Sequence, residues 1–140
     1  MSVEDRNVAI LQEAYRRWHD SKGGSIEHWS SILAPEVDFR SLAQGQPEPI
    51  SFTKPRQGPS DVEKYLKELT ADWEMIDYVV DRFVAQGDHV VAIGRTAWRN
   101  KSTGKVADTP KVDLWRFSAE GKALEFFEYY DTAMVIAAAS

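Results

Sequence analysis

Between Val3 and about Asp20 the apolar residues Val8, Leu11, Tyr15 and Trp18 return at helical spacing among charged ones, which predicts an amphipathic helix ended by Ser21-Lys22-Gly23-Gly24. A shorter helix over Ile26 to Leu33 gathers Ile26, Trp29 and Leu33 on one side and stops at Pro35. Val37 to Leu42 alternates as a short strand. Ser60 and Glu63 read as a capping box for a third helix, whose buried stripe is Val62, Tyr65, Leu66, Leu69 and Trp73. The rest reads as four strands, roughly 75–86, 89–100, 105–118 and 122–135. Turns separate them at Gln86-Gly87-Asp88, Ser102-Thr103-Gly104-Lys105 and Ala119-Glu120-Gly121-Lys122. Strands joined this tightly are antiparallel, so three helices and a four-strand meander predict one α+β domain with helices over one face of the sheet.

Residues 43–59 hold four of the six prolines and two glycines, which marks a long loop of the kind that forms lids and rims. The domain is expected to span 1–136, with Ala137 to Ser140 a frayed tail. Within the strands, side chains alternate between faces. One face of the last strand carries Glu125, Phe127, Tyr129 and Asp131, the other Phe126, Glu128, Tyr130 and Thr132. The strand before it divides into Lys111, Asp113, Trp115 and Phe117 against Val112, Leu114 and Arg116. The one before that divides into Val91, Ile93, Arg95 and Ala97 against Val90, Ala92, Gly94, Thr96 and Trp98. Periodicity alone leaves open which set the helices cover. If Trp98, Phe126 and Tyr130 face away from the helices, that outer face becomes an interface for a homodimer.

Composition narrows the chemistry. With no cysteine, disulfides, thiolate catalysis and cysteine-ligated metal are excluded. The net charge is −5 and the basic residues are dispersed, which argues against nucleic acid or an anionic membrane as partner. MSVEDRNVAILQEAYRRW carries early acids and no uninterrupted apolar run, so it reads as neither a secretory signal nor a span, and a cytoplasmic protein is expected. His19, His28 and His89 lack ligand spacing, so no metal site is expected. No glycine-rich phosphate loop, Gly-x-Ser-x-Gly elbow or Cys–His pair is present, and no cofactor is implied. Five Trp, five Tyr and six Phe exceed what a minimal core requires, and such a surplus suits a pocket or an interface.

The element order, the run Val112-Asp113-Leu114-Trp115-Arg116-Phe117 before Gly121-Lys122, and the closing Glu128-Tyr129-Tyr130-Asp131-Thr132-Ala133 together resemble the nuclear transport factor 2-like superfamily. More narrowly they resemble its SnoaL-like polyketide cyclase and ketosteroid isomerase branch, over nearly the whole chain. The resemblance implies a cystatin-like roll: a cone-shaped, curved antiparallel sheet with three N-terminal helices on its concave face, a ligand cavity at the open end, and usually a homodimer. It also implies that one scaffold hosts isomerases, cyclases, dehydratases, epoxide hydrolases and non-catalytic binders, so that fold does not give function. The isomerase pattern puts its first-helix tyrosine at Tyr15 and its oxyanion-holding aspartate at Asp113. Its proton-shuttling aspartate falls near Ser41, and a serine cannot be that base unaided. The cyclase and epoxide hydrolase patterns match Asp131 and Arg95, although Arg95-Thr96-Ala97 lacks the aspartate of Arg-x-Asp.

With odd-numbered side chains of the last strands turned toward the helices, Arg95, Asp113 and Asp131 are expected in one apolar cavity. Asp131 would then be the base, kept ionised beside Arg95, with Asp113 and Tyr15 as oxyanion donors. Trp18, Phe39, Ser41, Trp73, Trp115, Phe127 and Tyr129 are the expected lining. The leading expectation is a cofactor-independent isomerase, cyclase or lyase acting on a small, largely apolar molecule; its rival is a non-catalytic binder with the same pocket. A pure dimerisation module would instead fill the hollow with Trp18, Trp73 and Trp115, and a cavity above roughly 300 Å³ would separate it from the first two.

Overall fold

Helix α1, Val3–Asp20, starts where the Ser2 side chain accepts a hydrogen bond from the Asp5 N–H, with Glu4 and Asp5 in its electropositive first turn. Its apolar stripe turns Leu11, Ala14, Tyr15 and Trp18 into the core. Residues 1–140 are all described by this computed structural model. Helix α2, Ile26–Ser31, is shorter than its pattern predicts, because strand β1, Leu33–Ser41, begins before Pro35. Pro35 is exposed and sits where the register shifts between Leu33 and Asp38, so its missing N–H interrupts no ladder bond. The 43–59 segment folds into a 3-10 turn, Glu48–Thr53, and the two-residue strand β2, Arg56–Gln57. Helix α3, Pro59–Asp72, is capped by Gly58 at φ +82° with Pro59 in its first turn. The expected Ser60–Glu63 capping box does not form, since both residues lie inside the helix.

Strands β3, Trp73–Gln86, β4, His89–Asn100, β5, Val106–Phe117, and β6, Ala123–Tyr130, form the predicted antiparallel meander. The full order is β2-β1-β6-β5-β4-β3. β1 lies parallel to β6, which makes the curved sheet mixed rather than wholly antiparallel; the long connection through α3 permits that pairing. The α+β class, with helices on one face, is as expected.

The chain ends in a fourth helix where a continued strand to 135 was expected. Asp131 stops β6 by capping α4, Thr132–Ala139: its carboxylate accepts from the Met134 N–H at 3.1 Å, and the alanine-rich segment favours helix. Residues 137–139, expected to fray, are the last turn of α4, with Ala138 buried and its carbonyl accepting from the Thr103 hydroxyl at 2.5 Å. No helix is long and apolar enough to cross a membrane.

Curvature has a local cause. β3 breaks register with β4 between Met75 and Asp77 and again between Val80 and Arg82. At the second break Gly94 faces Val80 so closely that an added Cβ would lie 1.8 Å from the Val79 carbonyl oxygen. Only glycine lets the two backbones meet there, and the bulge bends the sheet around the helices.

Candidate functional site

Residues directly opposite in an antiparallel pair share a face, so register decides what lines the concave side. Between β4 and β5, Ala92 faces Asp113 and Trp98 faces Ala107. Between β5 and β6, Lys111 faces Tyr130, Asp113 faces Glu128 and Trp115 faces Phe126. The inward set is therefore odd-numbered on β5 but even-numbered on β4 and β6. This overturns four expected positions. Arg95 lies opposite Pro110 on the outer face and pairs with Asp108 at 2.7 Å, both side chains 57% exposed. Asp131 is exposed and spent on capping α4. Phe127 and Tyr129 point outward with Leu114 and Val112. Conversely Trp98, Phe126 and Tyr130 turn inward and line the cavity, so they are not the outer interface. The cause on β6 is a register shift at Arg116/Phe117, where one extra residue inverts the facing of everything that follows.

The cavity is about 110 Å³ and has 24 lining residues, 18 of them hydrophobic. Tyr15, Trp18, Phe39, Trp73, Asp113 and Trp115 line it as expected. Ser41 is buried one layer back, 2.8 Å from the hydroxyl of Tyr130. All five tryptophans contribute to the wall, and Trp29 stacks on Trp115 with ring centres 5.5 Å apart. That indole mass explains a volume below the roughly 300 Å³ mark, so size does not set a binder or an enzyme apart from a dimerisation module. The hollow is neither filled nor large, of the order of the roughly 150 Å³ cavity that takes benzene. Phe52 and Thr53 of the 43–59 segment close one side of it. That rim is fixed by Arg56, whose side chain is 1% exposed and donates to the Phe52 carbonyl at 2.9 Å and to Glu68 at 2.6 Å.

One patch of the wall is charged. Lys111 Nζ lies 2.7 Å from Asp113 Oδ1 and 3.1 Å from Glu128 Oε1, and donates to the Tyr78 hydroxyl at 2.9 Å. Asp113 Oδ2 accepts from Tyr15 at 2.5 Å and from Tyr78 at 3.2 Å, and Tyr15 accepts in turn from Trp115 Nε1 at 2.9 Å. Glu128 Oε2 accepts from Tyr65. Side-chain exposure is 12% for Lys111, 3% for Asp113 and 7% for Glu128, so these charges face one another rather than water. Burial opposes the Lys111 charge, but Asp113, Tyr78 and Glu128 outweigh it and hold the ammonium well above its ordinary range. Burial, then the charge of Asp113, keeps Tyr15 and Tyr78 protonated; burial, then Glu128, does the same for Tyr65 and Tyr130.

Four members of this patch escaped the sequence reading. Lys111 shares the face of Asp113 by its spacing but is given no role there, and Glu128 falls on the outer face of that reading. Tyr65 was counted only as helix stripe, and Tyr78 not singled out. For Glu128 the signal is its cross-strand pairing with Asp113, which needs the bulge to be known, and for Lys111 it is the two-residue spacing from Asp113.

The family model described as the SnoaL-like domain matches residues 11–126. Among curated proteins no sequence matches. Of the solved structures, an NTF2-like protein of unknown function from Burkholderia pseudomallei has TM-score 0.81 at 22% identity, covering 100% of this chain and 99% of that one. TerC, co-crystallized with polyporic acid, has TM-score 0.78 at 20% identity over 96% and 98%. A hypothetical protein of ketosteroid isomerase-like fold from Catenulispora acidiphila, in complex with trimethylamine, has TM-score 0.71 at 14% identity over 89% of each chain. At these identities the likeness shows the fold.

Two outcomes follow from the patch. Lys111→Met leaves two carboxylates buried together without their cation, and should lower stability by roughly 3–5 kcal/mol in urea unfolding. Glu128→Gln added to it should recover part of that loss, whereas additive losses would show that the pair is not coupled. The second concerns alkali. Lys111, Tyr15, Tyr65, Tyr78 and Tyr130 all hold protons more tightly folded than unfolded, so their contribution is complete below about pH 10 and is lost as pH rises further. Tyrosinate absorbance at 295 nm from these four rings should therefore rise together with loss of near-UV circular dichroism; ionisation with the fold intact would contradict their burial.

Proposed function

The chain belongs to the SnoaL-like domain family, and from the cavity we propose that it binds a small, largely apolar molecule whose polar end meets the Lys111, Asp113 and Glu128 patch. One observation carries this reading: an otherwise apolar hollow lined by every tryptophan of the chain has its charged groups gathered in one place. A pocket with few convergent polar groups fixes a ligand's orientation while apolar burial supplies affinity. Two fold neighbours hold small organic ligands, polyporic acid in one and trimethylamine in the other, which supports the reading without naming the ligand here. At about 110 Å³ the space suits a body of about one ring.

Because all five tryptophans line the cavity, their emission reports occupancy. Cyclopentanol, which does not absorb with indole, should give a saturable change in tryptophan fluorescence and raise the melting temperature. Ala107→Leu, which extends a buried wall residue into the space, should remove both effects. Absence of any saturable change in the wild-type protein up to the probe's solubility would end the reading.

Cofactor-independent acid/base turnover, as in an isomerase, cyclase or lyase, is the second reading. It is favoured by the unequal loading of the two carboxylates. Asp113 takes contacts from three groups, Glu128 from two, so Glu128 keeps more lone-pair capacity for a substrate proton. A screen of small ketones in deuterium oxide reads this directly. Carbon deuteration should disappear in Glu128→Gln and persist in Asp131→Asn, and loss in the second variant alone would reverse the assignment.

We also propose that the outer sheet face pairs two copies of the chain. It carries Val79, Val84 and Tyr129, each between 42% and 52% exposed, although its aromatic content is lower than the sequence reading held. Light scattering at micromolar concentration should give twice the chain mass, and a monomer would refute the pairing.

A further inference from the structure

The polar patch has a surplus of acceptors. Lys111 contacts Asp113, Glu128 and Tyr78, and the hydroxyls of Tyr15, Tyr65 and Tyr78 all donate to carboxylates. The Trp115 N–H is spent on Tyr15 and the Trp98 N–H on Thr96. The hydroxyls of Thr53, Thr96 and Thr109 donate to the carbonyls of Ile50, Asp77 and Pro110, and the Tyr130 hydroxyl shares a hydrogen bond with Ser41 in which either oxygen can donate. The Nε1 atoms of Trp29 and Trp73 have no partner, but both are covered and present nothing to the hollow. What the patch still offers is carboxylate lone pairs, on Asp113 Oδ1 and on both oxygens of Glu128.

The charge points the same way. One ammonium faces two carboxylates, which leaves a formal excess of one negative charge in a wall of 18 hydrophobic residues. Arg56, the next guanidinium along the rim, is committed to Glu68, Asp61 and the Phe52 carbonyl. The rings already support a cation here: Lys111 Nζ lies 5.4 Å from the centre of Tyr78 and 5.7 Å from that of Phe126. A buried uncompensated charge is costly, and a ligand that supplies the opposite charge removes the cost.

We infer that the cavity takes a small protonated amine on an apolar body, its ammonium N–H groups donating to Glu128 and Asp113 and its hydrocarbon part lying among the indoles. This rests on the binding reading above and adds the ligand's charge. A neutral ketone or an organic anion, by contrast, brings acceptors to a patch whose Tyr15, Tyr65 and Tyr78 hydroxyls are already given to carboxylates.

Calorimetric titration of the full chain at pH 7.5 with cyclopentylammonium chloride, cyclopentanol and sodium cyclopentanecarboxylate tests the claim, since the three share a body and differ in charge. Cyclopentylammonium should bind at least tenfold more tightly than cyclopentanol, with the carboxylate weakest. In Glu128→Gln that preference for the amine over the alcohol should fall severalfold. Equal or tighter binding of cyclopentanol or the carboxylate would overturn the amine assignment and leave the cavity reading standing. Failure of all three to bind would remove both. The wild-type comparison decides even if the variant does not fold.

Discussion

Everything inside the concave face is arranged around one ammonium group shared by two carboxylates. Taking Lys111, Asp113 and Glu128 out of water is expensive, and their mutual attraction offsets that only with good geometry and further hydrogen bonds. Those bonds come from tyrosines on three different elements: Tyr15 on α1, Tyr65 on α3 and Tyr78 on β3. The patch is thus the place where the N-terminal helix, the third helix and the far sheet edge are tied to the central hairpin of β5 and β6. A change to any of its charges is felt as stability before it is felt as chemistry.

The class of the fold was legible because each element announces itself locally. Val8, Leu11, Tyr15 and Trp18 keep helical spacing, and the glycine turns at 87, 104 and 121 divide the strands. Facing was only partly legible, and the two errors differ in kind. Asn100 and Lys105 close the hairpin between β4 and β5, and counting back from them sets Arg95 against Pro110, away from Asp113. That placement was readable. On β6 the same counting from Phe117 opposite Ala123 would put Asp113 against Phe127, and only the register shift beyond Arg116 brings Glu128 there instead. Nothing in Ser118-Ala119-Glu120-Gly121-Lys122 declares that bulge, so Glu128 was hidden behind a one-residue ambiguity. Resemblance to a family pointed to Tyr15 and Asp113, which line the cavity. It misled at Asp131, whose carboxylate is drawn to the N-terminus of α4.

Aromatic surplus resolves into a size limit. Each of the five tryptophans faces the hollow, some in pairs, as Trp29 on Trp115 and Trp18 near Trp98 at 6.2 Å. Packed indoles are stiff and leave little room, so the space is set by rings rather than by backbone. The proline-rich segment contributes to the same end. Ile50 and Phe52 are buried, and the guanidinium of Arg56 beneath them binds the segment to α3, which makes it a fixed rim.

Size and charge together bear on what chemistry such a site performs. Stabilising an oxyanion requires hydrogen-bond donors aimed at the developing charge and free to meet it. Here Tyr15 and Tyr78 already donate to Asp113, so a substrate carbonyl gains either of them as a donor only by breaking its bond, at a net cost of about 1 kcal/mol for a neutral pair and more for one to a charged group. The freed carboxylate oxygen would then sit unpaired in an apolar wall, which adds to the penalty. A ligand that brings its own donors breaks nothing. The tyrosines and carboxylates of the patch, with a lysine set between the carboxylates, therefore suit a cation better than an oxyanion.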